Sequence, residues 1–155
     1  MTISFRASGA STGKRAKAQR FCLRCEEPVF GAGKNCDICG KPAERFDSKA
    51  EYNHFHKLRL RKMAGEIFAL RCHPKFDLNV RSNDNLTVTH IGTFSPDFSY
   101  ARKDPYYPHG VTVYAEIKPH RKGKNGVNRP ILTREAALKI KLFEAMYGVK
   151  VRFVE

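Results

Sequence analysis

The chain has 155 residues, enough for one domain with its own core and a small accessory module, too few for two ordinary domains. Apolar residues make up 41% and charged residues 28%, which suits a folded protein, and no apolar run approaches the about 18–20 residues that span a bilayer. Lysine and arginine number 29 against 15 acids, and an excess of +14 points to a polyanionic partner: nucleic acid rather than a membrane, since no basic amphipathic helix stands at either end.

Residues 1–20 carry Arg6, Lys14, Arg15, Lys17 and Arg20 with no acid and no apolar periodicity. They read as a tail that stays disordered until a partner binds. The composition also resembles an organellar transit peptide, but no amphipathic helix precedes the motif that follows. No secretory apolar stretch follows Met1, so an intracellular, cytoplasmic location is expected.

Residues 21–45 hold two cysteine pairs, Cys22-Leu-Arg-Cys25 and Cys36-Asp-Ile-Cys39, separated by ten residues. Each C-x-x-C turn aims two thiolates at one centre, and two turns complete a tetrahedral soft-ligand site suited to zinc. The alternative is two disulfides, which would need an oxidising compartment. With all four positions filled, such a site is closed and structural. Cys72 is left over and reads as a half-buried thiol in a strand.

The remaining residues, 46–155, alternate helix and strand signals. Ser48-Lys49-Ala50-Glu51 is a capping-box pattern, so a helix is expected from Ser48 to about Ala64, stopped by Gly65. Strands are expected over Phe68–Val80, broken by Pro74, then over Leu86–Ile91 and Thr93–Tyr100, with Pro96 at an edge or bulge. Arg102–Gly110, with two prolines, reads as a loop. Val111–Lys118 alternates apolar and polar residues as a strand does. Pro119–Pro130 is a loop with Arg121, Lys122, Lys124 and Arg129 and no acid. Thr133 caps a second helix to about Tyr147, stopped by Gly148, and Val149–Val154 is a last strand. The expected class is α+β: a mixed sheet in the order α-β-β-β-α-β, preceded by a zinc ribbon.

Within these strands lie Ser95-Pro96-Asp97 and Glu116-Ile117-Lys118. Two residues apart on a strand, Glu116 and Lys118 share a face, where Asp97 can meet them from a neighbouring strand. Paired carboxylates suit Mg²⁺ or Mn²⁺, which acidifies a water and neutralises a phosphate, and a lysine can orient that water. The plainer reading is a surface cross-strand ion pair. Glu51 is equally well explained as the third residue of its capping box. His54 and His56 read as solvated helix residues rather than proton shuttles. Lys139 and Lys141 flank the apolar stripe of the second helix, either solvated or contacting phosphate.

Pro96-Asp97 followed by Glu116-Ile117-Lys118, in that element order, resembles the PD-(D/E)XK nuclease superfamily. More narrowly, residues 46–155 look like a phage-encoded family of small PD-(D/E)XK-like proteins. Phe46–Glu51, His73-Pro74-Lys75-Phe76 and Lys139–Phe143 also carry the likeness. The resemblance implies a restriction-endonuclease-like core, metal-dependent DNA cleavage at Asp97, Glu116 and Lys118, and an acid at the place of Glu51. It does not fix the DNA substrate. Double-strand cleavage by one site per chain would favour a homodimer. The rival readings are a non-catalytic zinc-ribbon DNA-binding protein and a ribosome-associated basic protein.

Overall fold

The computed structural model describes residues 18–30, 33–84, 86–122 and 128–154, without the side chain of Lys122. They divide at Lys49/Ala50 into two compact units. Lys14, Arg15, Lys17 and Lys124 lie outside the described residues.

The first unit is a three-stranded antiparallel sheet in the order β2-β1-β3, built from β1 (Gln19–Cys22), β2 (Glu27–Val29) and β3 (Glu44–Phe46). β1 begins inside the segment read from sequence as a disordered tail, so Gln19 and Arg20 are strand residues. Their ladder partners are Phe46 and Arg45. Phe21, Cys22, Cys36 and Phe46 are its buried residues.

The second unit is mixed α+β. Helix α1 (Lys49–Met63) is followed by β4 (Ile67–Cys72), β5 (Phe76–Arg81), β6 (Val88–Phe94), β7 (Phe98–Asp104) and β8 (Tyr107–Ile117). Short strands β9 (His120–Lys122) and β10 (Asn128–Pro130) precede helix α2 (Arg134–Tyr147) and the last strand β11 (Val151–Val154). The main sheet runs β11-β8-β7-β4. β4, β7 and β8 form an antiparallel meander, and β11 adds parallel to β8 after the α2 crossover. The order α1-β4-β7-β8-α2-β11 is therefore α-β-β-β-α-β, with two antiparallel inserts, β5–β6 and β9–β10.

Residue chemistry explains the ends of these elements. Thr133 caps α2 by accepting the Ala136 N–H, and Gly148 closes it at φ 65°. The α2 stripe buries Ile140 and Phe143 against Leu78, Phe94 and Val151. Phe143 meets the rings of Phe76, Phe94, Tyr114 and Tyr147 at centroid distances of 4.9–5.1 Å. From α1, Phe55 stacks on Phe98 at 6.4 Å. Phe98 is paired with Ala115, the neighbour of Tyr114. Successive strand residues face opposite sides, so the α1 and α2 rings cover opposite faces of the sheet.

Three expectations need correction. No strand crosses Pro96: β6 ends at Phe94 and β7 starts at Phe98, because proline has no N–H for a ladder. Arg102–Gly110 is not a loop but the tip of the β7–β8 hairpin, closed by Asp104 opposite Tyr107. Pro105 sits in its turn, and Pro108 falls where the register shifts. The basic loop 119–130 contains the β9–β10 ribbon, with Arg121 directly opposite Arg129.

Candidate functional site

In the first unit, the sulfurs of Cys22, Cys25, Cys36 and Cys39 lie within 4.8 Å of one another. The Cys22 and Cys39 sulfurs are 3.6 Å apart, and the Cys25 N–H donates to the Cys22 sulfur at 3.4 Å. The second pair sits in a tight turn: the Gly40 N–H bonds the Cys36 carbonyl at 2.8 Å, with Gly40 at φ 68°. All four cysteines are free thiols, so the two-disulfide alternative is not what this geometry holds. A hydrogen bond with Cys39, then burial, then bonds with Cys22 and Cys36, push the Cys25 thiol up to about 12. Thiols packed this closely keep their protons unless a cation stabilises the thiolates. Four converging sulfurs can hold a metal ion such as zinc.

In the second unit, one end of the main sheet gathers the other candidates. β4 and β8 finish there and β7 begins there, since Cys72 pairs with Phe98 and Phe98 with Ala115. Asp97 directly precedes β7, and its Oδ2 accepts the Ile117 N–H at 2.7 Å. That bond fixes the carboxylate against β8 beside Glu116. Glu116 is 5% exposed, and its Oε2 is 3.0 Å from the Lys118 ammonium. Burial and the neighbouring charge of Asp97 push the Glu116 carboxyl up to about 7, against the opposing pull of Lys118. Burial pulls the Lys118 pKa down, but Glu116, Asp97 and Glu51 outweigh it and leave that pKa raised.

Glu51, in the first turn of α1, reaches the same place. Its carboxylate, the His73 ring and the Asp97 carboxylate offer ligand atoms all within 4.8 Å of one another. The His73 Nε2 is 3.9 Å from the Glu51 Oε2. His73 follows β4 directly, its N–H donating to the Asp97 carbonyl at 3.0 Å. Its backbone sits at φ 45°, an uncommon conformation for a side-chain-bearing residue. Sequence reasoning assigned His73 no role. Its only mark in the sequence was its place in His73-Pro74-Lys75-Phe76, one of the stretches that carry the family likeness.

Other candidates lie elsewhere. His54 and His56 are not solvated but half-buried: His54 packs 5.6 Å from the Phe98 ring and His56 4.5 Å from the Tyr52 ring. Burial, then Lys57 and Arg152, lower the His54 pKa, and its Nε2 is buried without a hydrogen-bond partner. Lys139 pairs with Glu135 on its own helix at 2.7 Å, and Lys141 is exposed on α2. Arg121 and Arg129 are exposed on the ribbon, Lys122 belongs to β9, and Arg20 is half-buried in β1. Cys72 is a half-buried free thiol.

Residues 40–154 match the model of a family described as "Protein of unknown function (DUF1064)". Comparison with curated proteins and with solved structures gives no match. The match spans most of the chain, and the chain belongs to that family.

Proposed function

We propose that this DUF1064 protein is a metal-dependent DNA endonuclease of PD-(D/E)XK type with a structural zinc centre. The observation that carries the reading is the convergence of Asp97, Glu116 and Lys118 at one end of the sheet, with Glu116 buried rather than in a surface ion pair. A buried carboxyl group beside a second carboxylate raises the energy of the ionised pair. A divalent cation relieves that cost, and an all-oxygen pair suits Mg²⁺ or Mn²⁺.

Asp97 and Glu116 would hold the ion, with Glu51 beside them. When bound, it would supply charge neutralisation at the phosphate and a more acidic water. The Ile117 N–H holds Asp97 in place before any ion arrives, which lowers the ordering cost of binding. Lys118 stays protonated through neutral pH because its pKa is raised, so it acts as a hydrogen-bond donor and charge, not as a base. In that form it orients a water or meets the charge developing on phosphate. The exposed Arg121 and Arg129 suit phosphate contacts that carry no sequence information.

The test is incubation with labelled duplex, nicked, flap and four-way DNA, with and without Mg²⁺ or Mn²⁺. Cleavage is expected only with the ion. Asp97→Ala and Glu116→Ala should lose roughly a hundredfold or more in rate while still binding DNA, because the ion's share of the barrier is several kcal/mol. Binding without ion-dependent cleavage of any substrate would leave a zinc-ribbon DNA-binding protein instead.

A further inference from the structure

The donor set at the sheet end is not purely oxygen. Glu51 comes from α1, His73 from the segment after β4, and Asp97 from the start of β7, so three separate elements bring ligand atoms within 4.8 Å of one another. A chance surface cluster of acids would not include a ring nitrogen held this way. The His73 N–H is tied to the Asp97 carbonyl at 3.0 Å, and the His73 ring packs 6.4 Å from that of Phe98. The backbone at φ 45° is what turns the chain at His73 just before Pro74. The Glu51 and His73 side chains are only 14% and 29% exposed, so water competes weakly for their donor atoms.

We propose that Glu51, His73 and Asp97 together bind one divalent transition-metal ion, through two carboxylates and one imidazole nitrogen, in preference to Mg²⁺. The inference deepens the nuclease reading and rests on it for the ion's purpose. Its chemical basis is donor softness. Mg²⁺ is a hard ion that keeps oxygen ligands and water, whereas imidazole adds affinity for first-row transition ions. Mn²⁺ accepts both carboxylate and imidazole donors and is the natural probe. Glu116 is not among the three residues whose donor atoms lie within 4.8 Å of one another, but its carboxyl feels the charge of Asp97 beside it and would add a further oxygen to the same ion.

The experiment titrates Mn²⁺ and, separately, Mg²⁺ into the full-length zinc-loaded protein, and records pulsed electron paramagnetic resonance of bound Mn²⁺. One Mn²⁺ per chain is expected, with a coupling to a directly bound nitrogen. His73→Asn should abolish that coupling and weaken Mn²⁺ binding about tenfold or more, while Mg²⁺ binding changes far less. Glu51→Gln should weaken both ions. Mn²⁺ bound without nitrogen coupling would overturn the inference while leaving a carboxylate-only nuclease intact. Absence of Mn²⁺ binding overturns it as well. A nitrogen-coupled Mn²⁺ in a protein that cleaves none of the four DNA substrates would uphold the metal site and remove the nuclease reading. The wild-type spectrum alone decides whether a nitrogen is bound, even if the variant folds poorly.

Discussion

Glu116 is where burial and chemistry conflict. Its carboxyl is pushed from an ordinary 4.5 up to about 7 by burial first and by Asp97 second. The folded chain therefore binds this proton more tightly than the unfolded chain. Between pH 4.5 and 7 the folded state carries the extra proton, so stability falls as pH rises through that window and levels off above it. The size is about 3 kcal/mol. Glu116→Gln removes the titrating group, so the variant should lose this decline and exceed the parent in stability above pH 7. Urea unfolding at several pH values, without added divalent ions, reads it. Parallel pH profiles for parent and variant would mean that Glu116 ionises freely in the fold. At this scale the sequence was only partly legible. Asp97, Glu116 and Lys118 could be picked out by residue type and strand spacing. His73 could not, because its position depends on a left-handed backbone and on pairing between Cys72 and Phe98, which no local pattern encodes. His54 and His56 misled for a related reason: the apolar residues of α1 do not gather on one stripe, so its buried side was hard to place from the sequence.

Helices were easier to read than strand pairings. Thr133 and Gly148 mark α2 by local chemistry that acts wherever the helix packs. The β7–β8 hairpin was hidden by Pro105 and Pro108, which look like loop residues until the turn and the register shift accommodate them. Packing then sets how much each element matters. Phe143 is fully buried and touches rings from β5, β6, β8 and its own helix, so it clamps the β5–β6 insert to the main sheet. Phe143→Ala should cost about 3–5 kcal/mol, measured by chemical denaturation, since a ring-sized cavity in so dense a cluster closes poorly. In the first unit the short strands bury too little to fold unaided, and four cysteines sit among or beside its few buried residues. Cys36→Ser should therefore lose one zinc per chain and expose the amides of residues 21–42 to hydrogen exchange, with residues 50–154 still protected. Zinc-free wild-type protein with those amides protected would show that the sheet stands without metal.

Along the sequence, the basic excess and the site carboxylates fall in different segments. The excess is +14, yet the sheet-end site is built around Glu51, Asp97 and Glu116. If the partner is DNA, as proposed, a carboxylate cluster repels its phosphate backbone, and the binding energy would have to come from basic residues outside that cluster. Residues 1–17 hold Arg6, Lys14, Arg15 and Lys17 without an acid. The β9–β10 ribbon adds Arg121 opposite Arg129. Each phosphate neutralised by such a residue releases counterions, so log affinity should fall linearly with log salt, by about 0.9 per contact on duplex DNA. Deleting residues 1–17 leaves β1 intact, since that strand starts at Gln19. The deletion should weaken DNA binding alike across sequences and flatten the salt slope by roughly 0.9 for each of the lost contacts. Arg121→Ala with Arg129→Ala should flatten it further and independently. Neither change should alter the ion preference proposed for the sheet-end site, because donor atoms and not long-range charge would set it. Fluorescence anisotropy across a salt series measures the slopes, and slopes unchanged in both variants would place the phosphate contacts on other basic residues of the chain.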